Sequence, residues 1–497
     1  MKGSGRAQQS GSRCRGEQVT AVGIGDDFRV MERAMAMLVE PAAWAEQQFG
    51  NCDLGDARRT KRLVKVAMQA AARPDGSTPD QSETWGKCKA VYRLMDCDDV
   101  SHANIIGPHC EQTRQSCPVG SVKLILCDTT DVDFGRSVPG LGPVGNEKNN
   151  RGFFLHSGLM RDAATGTING LAGQELFYRR PKSRKKVHKN TKRLDPNRES
   201  VVWGKLIDQI GAPPQGVRWI HVCDRGADDY EVYLRAYLNG CGWVIRAARL
   251  NRNVQTVAGD DTTLAALLSS GPVCDHLEVS VPRQGNRPAR TAKVELRYVA
   301  FRMPQPSRIN EWIREHAPSE PLLMWCVQIT ETDPPSGAEA LTWTLLTSET
   351  VLNTSQALQV VESYKKRWGV EEYHKALKTG CHVEERYYQT SERLERVTGL
   401  HAILALRLLQ MRTLADENPE LPAIQIVPKE WIGTLAQIRK QPLTEMTIHQ
   451  FVRHLAGLGG HLGRKRDGRP GWITLWRGLE KLLLILRGSA LARKRCG

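Results

Sequence analysis

Val122-Lys123-Leu124-Ile125-Leu126-Cys127-Asp128 is an apolar run that ends on a carboxylate, and Trp219-Ile220-His221-Val222-Cys223-Asp224 is a second run built the same way. Runs of this length, rich in Val, Ile and Leu, read as strands buried on both faces, as in a parallel sheet. Between them, Phe153 to Met160 and Ile168 to Tyr178 read as two further strands and Ser200 to Ile210 as a helix. Beyond the second run, Ala227 to Leu238 reads as a helix and Trp243 to Ala247 as a strand. The predicted order is β-β-β-α-β-α-β. When the first and fourth strands of that order lie side by side and parallel, residues just past their carboxyl ends share a crevice. Asp128 and Asp224 hold those two positions.

This order resembles the ribonuclease H-like fold, so the expected class is α/β with a ribonuclease H-like (retroviral-integrase-type) core. From about 250 to 347 the pattern changes to alternating Thr, Val and Arg with Pro and Gly at turns, which predicts an all-β insertion. Helix is expected again from Ser355 to about Lys378 and from Leu394 to Leu414. Upstream, a short amphipathic helix is expected around Trp44 and Phe49, followed by a turn and N-cap at Asp53-Leu54-Gly55-Asp56. The next helix, Ala57 to Ala72, has an apolar face of Leu63, Val64, Val66, Ala67 and Ala70, with Arg58, Arg59, Lys61, Arg62 and Lys65 around the rest. That cationic face is either simply solvated or a DNA contact.

At 497 residues the chain is long enough for about three domains of roughly 150 residues each. Hydrophobic residues make up 40% and charged residues 25%, which excludes disordered, collagen-like and disulfide-scaffold classes. The longest apolar candidate, Leu482 to Leu486, falls far short of the roughly 18 residues of a membrane span, so no membrane partner is expected. Lys plus Arg is 70 against 54 for Asp plus Glu, a net charge of +16 that points to a polyanion such as nucleic acid. The 13 cysteines show no C-x-x-C pair and read as free thiols of a reducing compartment.

The chemistry is concentrated in Tyr364-Lys365-Lys366-Arg367-Trp368-Gly369-Val370-Glu371-Glu372-Tyr373-His374-Lys375-Ala376-Leu377-Lys378. At about 100° per residue on one continuous helix, Tyr364, Arg367, Glu371 and Lys378 fall within an arc of roughly 60°. One acid among cations is, in an isolated helix, usually a surface ion-pair pattern. Here it follows two strand-end aspartates in the order Asp, Asp, Glu. Phosphoryl transfer on a nucleic-acid backbone needs that set, because three carboxylates can hold two divalent ions about 4 Å apart. Arg and Lys on the same face would grip flanking phosphates.

These blocks resemble the bacterial DDE transposases of the insertion-sequence-four (Tn-five-like) group, over nearly the whole chain from about Trp44. Leu54-Gly55-Asp56-Ala57-Arg58-Arg59-Thr60 looks like the start of the group's end-DNA-binding domain, and Cys127-Asp128-Thr129-Thr130 and Cys223-Asp224-Arg225-Gly226-Ala227-Asp228 like its two aspartate blocks. Tyr364, Arg367, Glu371 and Lys378 match its Tyr, Arg, Glu and Lys signature. The resemblance implies a cut-and-paste transposase in which Asp128, Asp224 and Glu371 are catalytic and hold two Mg²⁺ ions, with Mn²⁺ able to substitute. It implies double-stranded DNA as partner, both inverted-repeat ends and target, and a homodimer within a synaptic complex. It also implies a hairpin intermediate, strand transfer and a cytoplasmic site of action at the bacterial nucleoid. Tyr364, Arg367, Lys378, Trp343, Arg246, Arg58, Arg59 and Arg62 are the expected DNA contacts. The implied division is a disordered arm or extension at 1–37, a helical end-binding domain at 38–110, the catalytic domain at 111–416 and a helical dimerisation region at 417–497.

Rival acids stand nearby: Asp131 and Asp133 after Asp128, Asp228 and Asp229 after Asp224, and Glu372 beside Glu371. Glu372 lies about 100° around the helix from Glu371. The aspartates are expected in following turns or helices, with Asp228 and Asp229 capping or charging a first turn. Trp343 is either a buried strand aromatic or, as the resemblance implies, a platform for a flipped base. Arg246 is either a surface cation or a participant in the same hairpin step. The basic stretch from Arg179 to Arg193 is either a solubilising loop or a phosphate contact. His156 reads as a core histidine. Leu458-Gly459-Gly460-His461-Leu462 and Gly471-Trp472 to Trp476 serve either self-association or the chain's own core. Two further functions share these features: a catalytically silent transposase-derived repressor, and a structure-selective nuclease on the same fold.

Overall fold

A computed structural model describes residues 40–496 apart from 146, 148, 180–193, 196–197, 282–288, 338, 441–445 and 465–466. The proposed arm at 1–37 and nearly all of the basic stretch at 179–193 lie outside the described residues.

The centre is a twelve-stranded sheet in the order β2-β3-β1-β5-β6-β12-β11-β10-β7-β8, with β4 on β3 and β9 on β10. Its first half comprises β1 (Val122–Asp133), the two-residue β2 (Gly142–Pro143), β3 (Arg151–Asp162), β4 (Ile168–Phe177), β5 (Arg218–Cys223) and β6 (Gly242–Arg246). β1, β5 and β6 are parallel, and β3 runs antiparallel to β1. This is the predicted first-beside-fourth arrangement.

The strands are apolar on both faces because helices cover both. Ile125, Cys127, Trp219 and Cys223 pack with α5 (Val201–Ile210) and α6 (Tyr230–Leu238), through Val202, Leu206 and Tyr233. Leu124, Leu126, Ile220 and Val222 face the other layer, which includes α9 (Thr354–Lys365), α10 (Trp368–Lys375) and α11 (Ser391–Glu417). Lys123 is fully buried in β1 and is neutralised by Asp162 at 2.6 Å.

Three expectations change. β1 does not stop at Asp128 but continues to Asp133, paired throughout with β3. The insertion is not all-β. Besides β7 (Asn253–Gln255), β8 (Asp261–Thr263), β9 (Asp275–Val281), β10 (Arg290–Met303), β11 (Leu322–Glu331) and β12 (Thr342–Thr347), it contains the short helices α7 (Leu264–Ser270) and α8 (Glu311–His316). Nor does it form a separate sheet, because β12 pairs antiparallel with β6 and extends the central one. Finally, the helix expected from 355 to 378 is broken at Lys366 and Arg367, between α9 and α10, and ends in a π-helical turn at Ala376–Gly380.

The amino-terminal part is α1 (Pro41–Phe49), α2 (Ala57–Ala72), α3 (Trp85–Met95) and α4 (His102–Gln115). Asp56 caps α2 as predicted, accepting from Arg58 N. The carboxyl-terminal part is α12 (Lys429–Arg439), α13 (Ile448–Leu458) and α14 (Trp472–Cys496). Gly459 and Gly478 let α13 and α14 touch: a Cβ on Gly459 would stand 1.8 Å from Thr474 O, and one on Gly478 1.9 Å from Leu455 O. Trp472, Leu475 and Trp476 are buried within the chain's own core. No helix among the described residues is long and apolar enough to cross a membrane.

Candidate active site

The parallel pairing of β1 with β5 ends at Leu126 and Val222, and both aspartates stand just beyond it. Asp128 Oδ1 accepts from Thr129 N at 2.9 Å. Asp224 Oδ1 accepts from Gly226 N at 2.7 Å and heads a tight turn, Arg225–Ala227, in which a Cβ on residue 226 would meet that oxygen at 3.0 Å. Glu371 arrives on α10, which packs against β1 and β3. Gly369 permits the approach, since even a Cβ there would lie 3.1 Å from Leu126. From behind, Tyr373 donates to Ala402 O at 3.1 Å, and His374 Nε2 lies 3.1 Å from Ser157 Oγ.

Arg367 stands among the acids. Its Nη2 donates to Glu371 Oε1, and its Nη1 lies 3.3 Å from Asp128 Oδ2, close enough for ion pairing although not aligned as a hydrogen bond. Burial pushes the Asp128 carboxyl up to about 6, against the pull of the Arg367 charge and the Thr129 amide, and the charges of Asp224 and Glu371 push the same way as burial. Burial opposes the charge on Arg367, but Asp128, Tyr364 and Glu371 outweigh it and hold the guanidinium above its usual range. Asp128 thus feels both other acids of the predicted set.

The predicted flank also assembles. The buried Tyr364 ring lies 6.0 Å from the Arg367 guanidinium, and half-buried Trp343 meets that ring edge-on at 5.3 Å. Arg246 Nη2 donates to Thr342 O at 3.1 Å, and its charge acts on the Tyr364 hydroxyl. Lys378, in the π-helical turn, reaches Asp131 Oδ1 at 2.8 Å and Glu384 Oε1 at 3.1 Å rather than Glu371. Glu384 also accepts from Asp133 N at 3.0 Å, and nothing in the sequence singled it out.

The rival acids have other partners. Asp131 and Asp133 lie on β1 itself, not in a following turn, with Asp131 engaged by Lys378. Asp229 caps α6 as expected, but the Asp228 side chain is fully buried and accepts from Ala248 N at 2.6 Å, from the Tyr233 hydroxyl and from Arg252. Glu372 faces Arg412 at 3.1 Å. His156 is a core histidine, buried against Trp203, with Nδ1 2.8 Å from Thr129 Oγ1.

Arg58, Arg59 and Arg62 lie on α2, away from the acids. Arg58 is 91% exposed beside Asp56, whereas Arg59 is committed to structure, bonding Asp99 at 2.5 Å and Leu54 O at 2.9 Å. A cavity of about 1430 Å³ lies at the opposite, amino ends of β1 and β5, lined by Gly120 to Leu124 and Arg218, and contains none of the three acids.

Among the described residues, no three acidic, histidine or cysteine side chains stand close enough to share one metal ion. The donor chemistry nevertheless fits a hard divalent cation: Asp128 and Glu371 present carboxylate oxygens to one guanidinium, and the charge of Asp224 acts on Asp128.

Residues 41–100 match the model of the transposase DNA-binding family, 199–407 that of the transposase DDE domain, and 403–496 that of the transposase Tn5 dimerisation domain. Asp224 and Glu371 fall within the DDE match, and Asp128 precedes it. A cryo-EM structure of the piggyBac transposase synaptic complex with hairpin DNA is similar at 12% identity and a TM-score of 0.35, covering 94% of this chain and 82% of that one.

Proposed function

The chain belongs to the DDE transposases of the Tn5 type, and we propose that Asp128, Asp224 and Glu371 are the catalytic set of a cut-and-paste enzyme. It is a DNA-binding, dimer-forming enzyme that depends on a divalent metal ion. The finer reading is that the ends of its element are inverted repeats, that two copies pair them in a synaptic complex, and that two Mg²⁺ ions serve each site. The observation that carries this is the convergence of Asp128 and Glu371 on one guanidinium, with Asp224 close enough for its charge to act on Asp128.

Bound to these carboxylates, divalent ions would supply Lewis acidity for the attacking and leaving oxygens of an in-line displacement. The chain's own groups do the rest. Arg367 and Lys378 would neutralise phosphates flanking the scissile bond, and Tyr364 would fix the Arg367 stem. Trp343, already edge-on to Tyr364, would take a displaced base on its free face, with Arg246 holding the strand beside it. One site then serves water attack at the end, attack by the freed 3′ hydroxyl to form a hairpin, hairpin opening and joining to target, since these steps differ only in nucleophile.

The test is product analysis on duplexes carrying the element's ends. Nick, hairpin and joined product should appear in that order with Mg²⁺. A chain that binds the ends but never nicks them in Mg²⁺ or Mn²⁺ is a repressor. One that cuts hairpins or flaps regardless of end sequence is a nuclease.

A further inference from the structure

Arg367 lies between two of the acids that would hold a metal. Its guanidinium bonds Glu371 and lies 3.3 Å from Asp128, only 14% of the side chain is exposed, and Tyr364 closes one side. A guanidinium offers only donors, and while it holds one oxygen of Glu371 and lies against one of Asp128 it competes with an ion that needs oxygens from both. It is also well placed to leave. Arg367 lies in the two-residue break between α9 and α10, at the end of a long side chain. A DNA phosphate offers it the same bidentate partner that a carboxylate does.

We propose that Arg367 is an internal counterion that keeps the acid cluster closed to divalent ions until a DNA phosphate draws its guanidinium away. The proposal rests on Asp128, Asp224 and Glu371 being the metal ligands. Metal loading and DNA binding are then coupled, and by linkage each strengthens the other by the same factor. If the open arrangement is populated about one part in ten without DNA, apparent metal affinity falls about tenfold. The same arrangement keeps mutually repelling carboxylates neutralised before DNA arrives.

The experiment is Mn²⁺ binding to the full-length, metal-free protein without DNA, read from the EPR signal of free Mn²⁺ and from the Mn²⁺-dependent rise in melting temperature. Arg367→Gln should bind Mn²⁺ about tenfold more tightly than the wild type. Adding Asp128→Ala to that variant should abolish the gain. Arg367→Lys, which keeps the charge but cannot bridge two carboxylates, should fall between and serves if the Gln variant does not fold. Affinity within twofold of wild type in whichever of these variants folds overturns the counterion role. Failure of the two claims is separable. A gain that survives Asp128→Ala means the acids are not the ligands. No gain in Arg367→Gln, with Asp128→Ala still removing the Mn²⁺ bound in the presence of duplex DNA, leaves the ligands standing and the counterion role refuted.

Discussion

Asp228 shows how the neighbouring acids divide their work. Its side chain is 0% exposed and held by the Arg252 side chain, itself 14% exposed, together with Tyr233 and the Ala248 amide, so it ties the loop after β5 to the chain leaving β6. Removing one partner of a buried ion pair strands the other and costs about 3–5 kcal/mol. Arg252→Ala should therefore lower the urea and thermal midpoints strongly, while the same loss of Asp224 should hardly move them; an unchanged midpoint in Arg252→Ala would refute this assignment. The placement of Asp224 at a strand end and of Glu371 one helical turn from Arg367 was legible in the sequence because strand ends and helix spacing are local properties; the continuation of β1 past Asp128 was not. The Arg252 partner of Asp228 and the Asp131 partner of Lys378 were not, because only the fold brings those residues near. Glu384 had no local signal at all.

At the scale of elements, α4 is tied to the sheet through His109. Its Nε2 accepts from Leu171 N at 3.1 Å, which leaves Nδ1–H to donate to Gln48 Oε1 at 2.6 Å. Both ring nitrogens are used in the neutral form, and protonating Nε2 would break the bond to β4. Burial pushes His109 down to about 4, and His102, beside Gln174, down to about 4 as well. A folded pKa below the unfolded value gives stability that is complete above about 6.5 and is lost as pH falls through about 4, about 3 kcal/mol for each residue. Melting curves between pH 7 and 4 should therefore fall more steeply for the wild type than for His109→Gln, and parallel curves would contradict the assignment. Element types were largely readable, yet the break at Lys366 and Arg367 was not. Periodicity cannot distinguish one helix from two that continue in nearly the same phase, and the π-helical turn that re-aims Lys378 carries no Gly or Pro within the run before Gly380.

For the whole molecule, amino-terminal helices, α11 and α12 interlock. The buried Arg407 guanidinium lies 5.6 Å from the Trp44 ring and 5.9 Å from that of Trp431, whose Nε1 donates to Glu40 at 2.7 Å. The central strand order was predictable, because parallel pairing follows from the alternation of strands and helices. The joining of the insertion to β6 was not, because antiparallel register between distant strands leaves no local trace. Of the cations on α2, Arg58 pairs with its neighbour Asp56 but stays 91% exposed and can meet DNA, whereas Arg59 is tied to Asp99 and the Leu54 carbonyl. Arg58→Ala and Arg62→Ala should each weaken end binding and reduce its salt slope by about 1. Identical titrations from low to high salt would make that face merely solvated.

The most direct measurement is single-turnover nicking of an end duplex by Asp128→Ala, Asp224→Ala and Glu371→Ala, with duplex binding measured on the same samples. Each variant should bind as the wild type does and nick at least about a thousandfold more slowly, a barrier increase of about 4 kcal/mol. Nicking within about tenfold of wild type by any of the three would remove that residue from the site and contradict the catalytic set.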